Sequence, residues 1–289
     1  MKRVLLTGGN GFIGTRFREA HHHNFEILST DVDELNILNK NNVEDALRLF
    51  RPDYVIHTAA IALTEFCNEN PEKCREINVT GAVNVAKACR KTGSKMIFLS
   101  TEQVFNGNPE PGPYKEDHIP VPDTMYGKNK LEAEGLIKNI LDDYLILRFT
   151  WMFGIPERNR PVVANILWNT VEAVLKGEQI KVPVNEFRGL TYVNELMDQF
   201  DKIMDLPAGT YHVGSNNTKN RYDIVCHILN EMGLQNRINE LIIKDREKYR
   251  DHPRDARLDT TLIQSKGIVF SDTPEAVSRC IREYHLKIN

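Results

Sequence analysis

Short apolar runs alternate with stretches of helical period through the first half of the chain. The apolar runs have the length of β-strands and occupy residues 3–6, 25–28, 54–57, 95–100 and 144–148. Segments with helical period lie between them, at residues 43–50, 79–92 and 126–140. Short apolar strands separated by helices are typical of a parallel sheet that is covered on both faces. The pattern therefore predicts an α/β, doubly wound parallel fold.

The second half of the chain is less regular, and proline residues interrupt it. Helical period returns at residues 164–175 and 222–232. We therefore predict a sheet domain over residues 1–154, to which the chain returns near residues 189–205, and a smaller, irregular domain over residues 155–289. Doubly wound folds bind ligands at the carboxyl edge of the sheet, so we expect the smaller domain to bind substrate beside that edge.

The stretch TGGNGFIG joins the first predicted strand to a helix that begins near Phe12. Gly8 would permit the tight turn, Gly11 the approach of the backbone to a pyrophosphate, and Gly14 the close packing of helix on strand. Phe12 and Ile13 would offer N–H groups at the positive end of the helix dipole. Glycines alone are weak signals, but a strand before them and a helix after them indicate a dinucleotide-binding (Rossmann) domain.

Asp31 follows the second predicted strand, where a carboxylate can accept hydrogen bonds from both ribose hydroxyls of an adenosine. Asp33 and Glu34 are alternatives for this role. The three acids come without a lysine or arginine, and a 2′-phosphate placed there would be repelled. We therefore predict that NAD(H) is preferred, with NADP(H) as the alternative.

Three polar residues in the first half form a candidate catalytic set. Thr101 ends a buried strand, and Tyr126 and Lys130 lie four apart on one face of a helix. The Lys130 cation would lower the pKa of the Tyr126 phenol and make it a usable general acid. Thr101 could hold the same substrate oxygen, and Lys130 could also bond the nicotinamide ribose.

Composition favours a small-molecule partner. The 289 residues carry 37 Lys and Arg against 40 Asp and Glu, without long runs of like charge. This balance gives no general attraction to nucleic acid or to anionic membranes. No apolar run reaches the roughly 18 residues of a membrane span, and no leader segment precedes the first strand. We expect a cytoplasmic protein that binds neither membrane nor nucleic acid, and a homodimer is an open alternative for its oligomeric state.

Neither the cysteines nor the histidines predict a metal site. The five cysteines are odd in number and far apart, which fits reduced packing residues better than disulfides or a zinc site. His21, His22 and His23 point in three directions on a helix and cannot converge on one ion. We predict no bound metal.

The motifs TGGNGFIG, LSTEQVF, MYGKNK and LRFTWMFG, in this order, resemble the extended short-chain dehydrogenase/reductase family, and within it the dTDP-4-dehydrorhamnose reductase group. The tail motif PRDARLDT extends the resemblance over nearly the whole chain. The resemblance implies a keto sugar nucleotide reductase in which Thr101, Tyr126 and Lys130 are catalytic. It also implies a cofactor-lining turn at Ala59 and Ala60.

The resemblance further implies substrate contacts in the second half. Trp151 matches a tryptophan that lies along the sugar in the reductases, and Thr101 contacts the substrate oxygen. The diphosphate of a sugar nucleotide needs positive partners, for which Arg188, Arg254 and Arg257 are the candidates in the second half.

Several positions depart from the reductase pattern, which usually has an aspartate where this chain has Glu102 and an aromatic residue or histidine where it has Gln103. Sugar-nucleotide dehydratases place an acid pair after the threonine, and Gln103 cannot titrate, so a dehydratase is disfavoured. Two alternatives stay open: an epimerase, and a non-catalytic NAD-binding regulatory subunit like that of S-adenosylmethionine synthesis.

Overall fold

The computed structural model describes residues 1–288. Its strands are β1 Lys2–Thr7, β2 Phe25–Thr30, β3 Tyr54–His57, β4 Lys95–Thr101, β5 Tyr144–Phe149, β6 Trp151–Phe153, β7 Ile180–Pro183, β8 Glu186–Phe187, β9 Leu190–Tyr192, β10 Gly209–Val213, β11 Ile242–Asp245 and β12 Arg254–Asp255. Its α-helices are α1 Phe12–His21, α2 Lys40–Phe50, α3 Thr64–Glu69, α4 Pro71–Arg75, α5 Ala82–Thr92, α6 Met125–Ile140, α7 Ile166–Lys176, α8 Val193–Met204, α9 Arg221–Glu231, α10 Ile238–Leu241, α11 Thr261–Gln264 and α12 Thr273–Glu283.

The main sheet has the strand order β10-β5-β4-β3-β1-β2. The pairs β1–β2, β1–β3, β3–β4 and β4–β5 are parallel, which confirms the predicted α/β doubly wound class. The strand order reverses at β1, because β2 lies on one side of β1 and β3 on the other. Such a reversal opens a crevice at the carboxyl ends of the two strands, where dinucleotides bind in this fold class.

Each of the five predicted strands lies inside one of β1 to β5. The strands form because their apolar residues are buried on both sides; Val4, Leu5 and Leu6 of β1 are 0% exposed. The predicted helix at residues 79–92 is less regular than expected, because a π-helical turn at Glu76–Gly81 precedes α5. The Thr124 side chain accepts the N–H of Gly127 and so begins α6 just before Tyr126.

The chain divides into two compact units. The first unit comprises residues 1–107, 119–149 and 199–211, and the second unit comprises residues 108–118, 150–198 and those from 212 onward. The chain returns to the first unit at residues 199–211, which overlap the predicted residues 189–205 at 199–205, and the loop at 108–118 belongs to the second unit. The roles predicted for the two units, cofactor binding and substrate binding, stay predictions.

The second unit has only short strands. They pair as β6 with β9, β7 with β11 and β8 with β12, each pair parallel. Its helices α7 and α9 cover the predicted segments at residues 164–175 and 222–232 to within one or two residues. This agrees with the irregular sequence pattern, which offers no long strands from which to build a larger sheet.

Within residues 1–288, no helix is both long and apolar enough to cross a membrane. The five cysteines are free thiols, and four of them are buried. The His21 ring is buried and its Nδ1 lies 2.9 Å from a carboxylate oxygen of Asp201. In this described part of the chain, no group of three His, Cys, Asp or Glu side chains is arranged to hold a metal ion.

Candidate active site

The glycine loop turns sharply at the end of β1. Gly8 has a φ of +69°, which a residue with a side chain rarely adopts. A Cβ on Gly14 would lie 2.6 Å from the Gly8 carbonyl oxygen, so only glycine lets the first turn of α1 pack on the loop. The first-turn amides of α1, at Phe12, Ile13 and Gly14, have no acceptor within the helix and are suited to an anion.

Asp31 lies beside this loop. Its Oδ2 accepts the N–H of Asn10 at 3.0 Å, and its Oδ1 accepts the N–H of Val32 at 2.8 Å. Glu34 turns back to accept the N–H of Asp31, whereas Asp33 is exposed. Of the three acids, Asp31 is therefore the one that the backbone fixes against the glycine loop.

Ala59 follows β3 and packs directly on the loop. A Cβ added to Gly8 would lie 2.7 Å from the backbone nitrogen of Ala59. Ala59 and Ala60 are both half-buried. The turns after β1 and β3 thus meet at the point where the strand order reverses. A glycine cradle, free helix amides and a fixed carboxylate fit the pyrophosphate and the adenosine ribose of a dinucleotide.

Thr101 and Lys130 are joined through β4. The Lys130 Nζ donates a hydrogen bond of 2.8 Å to the carbonyl oxygen of Leu99, two residues before Thr101. The Thr101 Oγ1 accepts the N–H of Gln103 at 3.2 Å, which leaves its hydroxyl proton to donate to another group. Thr101 is 8% exposed and Lys130 is 2% exposed, so both face a largely water-free environment.

Burial raises the pKa of the Tyr126 phenol above its usual value, and the neighbouring Cys67 adds to the rise. The Lys130 Nζ lies 5.9 Å from the centroid of the Tyr126 ring and does not offset it. The sequence argument predicts the opposite direction. It is wrong because it counts the lysine charge and omits the burial of the phenol. Tyr126 is therefore protonated near neutral pH.

Burial lowers the pKa of Lys130 to about 8, although Glu134 and Cys67 act in the opposite direction. The ammonium lies 4.6 Å from the centroid of the Phe98 ring, a favourable contact for a cation. His57 is also buried, and burial followed by the Lys130 charge lowers its pKa to about 3, so its ring is neutral. Lys130 therefore carries the charge here, and two of its three N–H donors remain for a ligand.

In the second unit, three arginines surround the buried carboxylate of Glu186. The Arg221 Nη1 donates to Glu186 Oε2 at 2.8 Å, and nitrogens of Arg188 and Arg254 each lie 3.7 Å from Oε1. Burial opposes the ionisation of Glu186, but these charges hold its pKa below its usual value. Three guanidinium groups around one carboxylate give this cluster more positive than negative charge.

Trp151 contacts two members of the arginine cluster. The Arg188 guanidinium carbon lies 4.2 Å from the centroid of the Trp151 ring, and that of Arg221 lies 5.6 Å from it. The backbone N–H of Trp151 donates a hydrogen bond to the Gly189 carbonyl. This bond fixes β6 beside the segment that carries Arg188. The indole therefore orients two cations of the cluster.

Arg257, the other arginine predicted to bind substrate, has a different environment. Its guanidinium donates to both carboxylate oxygens of Asp255, at 2.9 and 2.6 Å, and to the carbonyl of Gly112. These bonds hold the loop at residues 108–118 within the second unit. Arg188 and Arg257 thus do not share one carboxylate.

Nearly all of the chain matches a known family. The family model described as the RmlD substrate binding domain covers residues 1–286. This chain belongs to the RmlD family. The spore coat polysaccharide biosynthesis protein SpsK of Bacillus subtilis is 27% identical over 289 residues, covering 98% of this chain and 97% of that protein. Methionine adenosyltransferase 2 subunit beta of Bos taurus is 27% identical over 285 residues, covering 92% and 83%.

Solved structures of the RmlD family share the fold. The dTDP-4-dehydrorhamnose reductase of Bacillus anthracis, solved in complex with NADP, superposes with a TM-score of 0.86 at 25% identity. The match covers 98% of this chain and all of that one. The comparisons confirm the resemblance to the dTDP-4-dehydrorhamnose reductase group, and they include a methionine adenosyltransferase subunit as well as a reductase.

Three features of this RmlD-family chain, one in the first unit and two in the second, were not predicted from the sequence. A Cβ on Gly9 would overlap the Ser29 side chain unless that side chain rotated, so Gly9 is also packed closely against β2. Arg221, which begins α9, gave no signal because nothing nearby marks it as part of a cluster. Glu186 gave no signal in the sequence either, since a single glutamate in an irregular segment is usually a surface residue.

Proposed function

We propose that this protein is an NAD(P)H-dependent reductase of a keto sugar nucleotide. The observation that carries the proposal is the arrangement within the first unit. Thr101 and the buried Lys130 are linked through β4, and Tyr126 begins the same helix that carries Lys130. The glycine loop and Asp31 belong to the same unit. NAD(P)H, when bound, supplies the hydride for the ketone carbon.

Tyr126 delivers the proton. Its raised pKa keeps the phenol protonated near neutral pH, which is the form that a general acid needs. The alkoxide that a ketone becomes on reduction is the conjugate base of an alcohol. An alcohol, like water, is a much weaker acid than a phenol, so even a weakly acidic phenol can protonate such an oxygen.

Thr101 and Lys130 assist in different ways. The Thr101 hydroxyl accepts the N–H of Gln103 and keeps its own proton, which it donates to the substrate oxygen. The Lys130 ammonium binds the nicotinamide ribose with a donor that the Leu99 carbonyl does not use. Its positive charge also favours negative charge on the nearby oxygen in the transition state.

Asp31 supports NADH as the preferred cofactor. The backbone holds its carboxylate beside the glycine loop, where it can accept both hydroxyls of the adenosine ribose. A 2′-phosphate at the same place would meet this charge without a cation in the 31–34 segment.

The arginine cluster is assigned to the anionic part of the substrate. A sugar nucleotide carries a diphosphate, and arginine binds phosphate oxygens through paired N–H donors. Arg188, Arg221 and Arg254 supply such donors around Glu186, and Trp151 holds two of them. For Arg257, binding of the diphosphate stays a prediction from the sequence.

The experiment is an absorbance assay of NADH and NADPH oxidation with a panel of 4-keto sugar nucleotides, including dTDP-4-dehydrorhamnose. We expect turnover with at least one of them and none with the corresponding 4-hydroxy sugar nucleotides, which serve as controls. Tight cofactor binding without turnover of any ketone would overturn the proposal.

A regulatory subunit is the second candidate, because the match to methionine adenosyltransferase 2 subunit beta spans 92% of this chain. A protein of that kind would bind a dinucleotide without reducing a sugar. Tyr126→Phe separates the two functions, since it removes only the hydroxyl. It should leave cofactor binding intact and abolish most reduction if the protein is a reductase.

A further inference from the structure

A buried ion pair lies one helical turn beyond Lys130. Glu134 of α6 is 1% exposed and Arg148 of β5 is 3% exposed. The Arg148 Nε donates to Glu134 Oε1 at 3.0 Å, and its Nη2 donates to Oε2 at 2.7 Å. The Ser100 hydroxyl donates to Oε1 at 2.5 Å. The Glu134 carboxylate is therefore fixed from two neighbouring strands.

Lys130 and Glu134 are held by consecutive residues of β4. Lys130 donates to the Leu99 carbonyl and Glu134 accepts from the Ser100 hydroxyl. The two side chains are four residues apart on α6, so they project from the same face of the helix. Neither can turn away without losing its bond to β4. The distance between the two opposite charges is thus set by the strand and the helix together.

The groups around Lys130 come from several elements. Tyr126 and Glu134 lie on α6, Cys67 on α3, His57 on β3, and the Leu99 carbonyl on β4. The phenol, the thiol and the imidazole are neutral near pH 7, because burial raises the pKa of Tyr126 and Cys67 and lowers that of His57. Glu134 is therefore the negative charge that can stabilise the ammonium.

We propose that Glu134, clamped by Arg148 and Ser100, is a positioning residue that keeps Lys130 protonated in its buried place at neutral pH. This inference rests on the proposed function, in which Lys130 must be charged to bind the ribose and to favour negative charge on the substrate oxygen. Burial disfavours the ammonium, and a carboxylate held at a fixed distance opposes that effect. Arg148 and Ser100 hold this carboxylate in place through hydrogen bonds to both of its oxygens.

The test is the pH dependence of two properties of Glu134→Gln. Activity and cofactor binding should both fall as rising pH deprotonates Lys130, with a midpoint near the pKa of about 8 in the wild type. Loss of the Glu134 charge lowers the Lys130 pKa, so both midpoints should move to lower pH by about one unit or more. NADH affinity, measured by fluorescence, requires no sugar reduction and therefore tests the inference even if the proposed substrate is wrong.

A second variant separates this role from a purely structural one. Glu134→Gln removes the negative charge that balances the buried Arg148 and is expected to be less stable. Glu134→Leu with Arg148→Met replaces both charges by apolar groups and should recover stability. We expect its midpoints to stay shifted to lower pH, because the carboxylate is still missing.

The matched control is Glu132→Gln. Glu132 lies on the same helix, pairs with Arg75 and is partly exposed, so the change removes a carboxylate from α6 without touching the Lys130 environment. Its midpoints should equal those of the wild type. A folded Glu134→Leu/Arg148→Met protein with wild-type midpoints would overturn the proposal. Failure of both Glu134 variants to fold would also count against it, since the pair would then serve the fold.

Discussion

Replacement of Asp31 by Asn tests the assignment of the adenosine ribose site. Asn keeps an oxygen that can accept the N–H of Asn10, so the glycine loop should keep its conformation while the negative charge is lost. The change thus isolates the electrostatic part of cofactor selection.

The size of the effect follows from Coulomb's law. Two unit charges about 6 Å apart interact by about 0.7 kcal/mol in water and by about 3 kcal/mol at the effective dielectric constant of a protein surface. A 2′-phosphate carries roughly two charges, so removal of the Asp31 charge should improve NADPH binding by about 1.4 kcal/mol or more. That energy corresponds to about a tenfold change. NADH binding should weaken at the same time, because a charged acceptor for its ribose hydroxyls is lost.

The assay compares the dissociation constants of NADH and NADPH for the wild type and for Asp31→Asn. Asp33→Asn is the matched control, since Asp33 lies in the same loop, carries the same charge and is exposed. We expect the NADH preference to fall at least about tenfold in Asp31→Asn and to change little in Asp33→Asn. Equal shifts in both variants, or a wild type that prefers NADPH, would refute the reasoning.

Three further predictions concern the loop, the lysine and the arginine cluster. Gly14→Ala should destabilise the protein by about 1–3 kcal/mol and weaken dinucleotide binding, because the alanine Cβ would overlap the Gly8 carbonyl. Gly135→Ala is the control, since a Cβ at Gly135 would meet no atom within 4 Å. Between pH 8 and 10.5 the unfolded state binds more protons at Lys130 than the folded state. The free energy of unfolding of the wild type, measured by urea denaturation, should therefore rise with pH by on the order of 3 kcal/mol relative to that of Lys130→Met. Parallel pH dependences of the two proteins would contradict this. Arg188→Ala should raise the KM for a sugar nucleotide by about tenfold or more, while the exposed Arg237→Ala should not, and equal KM values would remove the cluster from substrate binding.

The first half of the fold could be predicted because each strand is a short apolar run and each connection to the next contains a helix. The glycine loop and Asp31 could be placed for the same reason, since the roles predicted for them depend on where a strand ends. The π-helical turn at Glu76–Gly81 could not, because it depends on packing and leaves no periodic signal in the sequence.

The strands of the second unit and the arginine cluster could not be predicted from the sequence. The short strands β6 to β9, β11 and β12 are two to four residues long, too short for an alternating pattern to mark them. The arginine cluster combines residues from positions 186 to 254, and only the folded chain brings them to one carboxylate. The predicted direction of the Tyr126 pKa shift was wrong for a related reason. Sequence spacing reveals a neighbouring charge but not the burial that outweighs it.

The central claim, that the protein reduces a sugar ketone by hydride transfer, is tested most directly with an isotope. NADH deuterated at the transferring position of the nicotinamide is incubated with dTDP-4-dehydrorhamnose, and the sugar nucleotide is analysed by mass spectrometry. The account predicts a reduced product that carries the deuterium at the former ketone carbon, formed at least about a hundred times more slowly by Tyr126→Phe. Unlabelled, unreduced sugar nucleotide in the presence of bound NADH would contradict the account and favour a regulatory role.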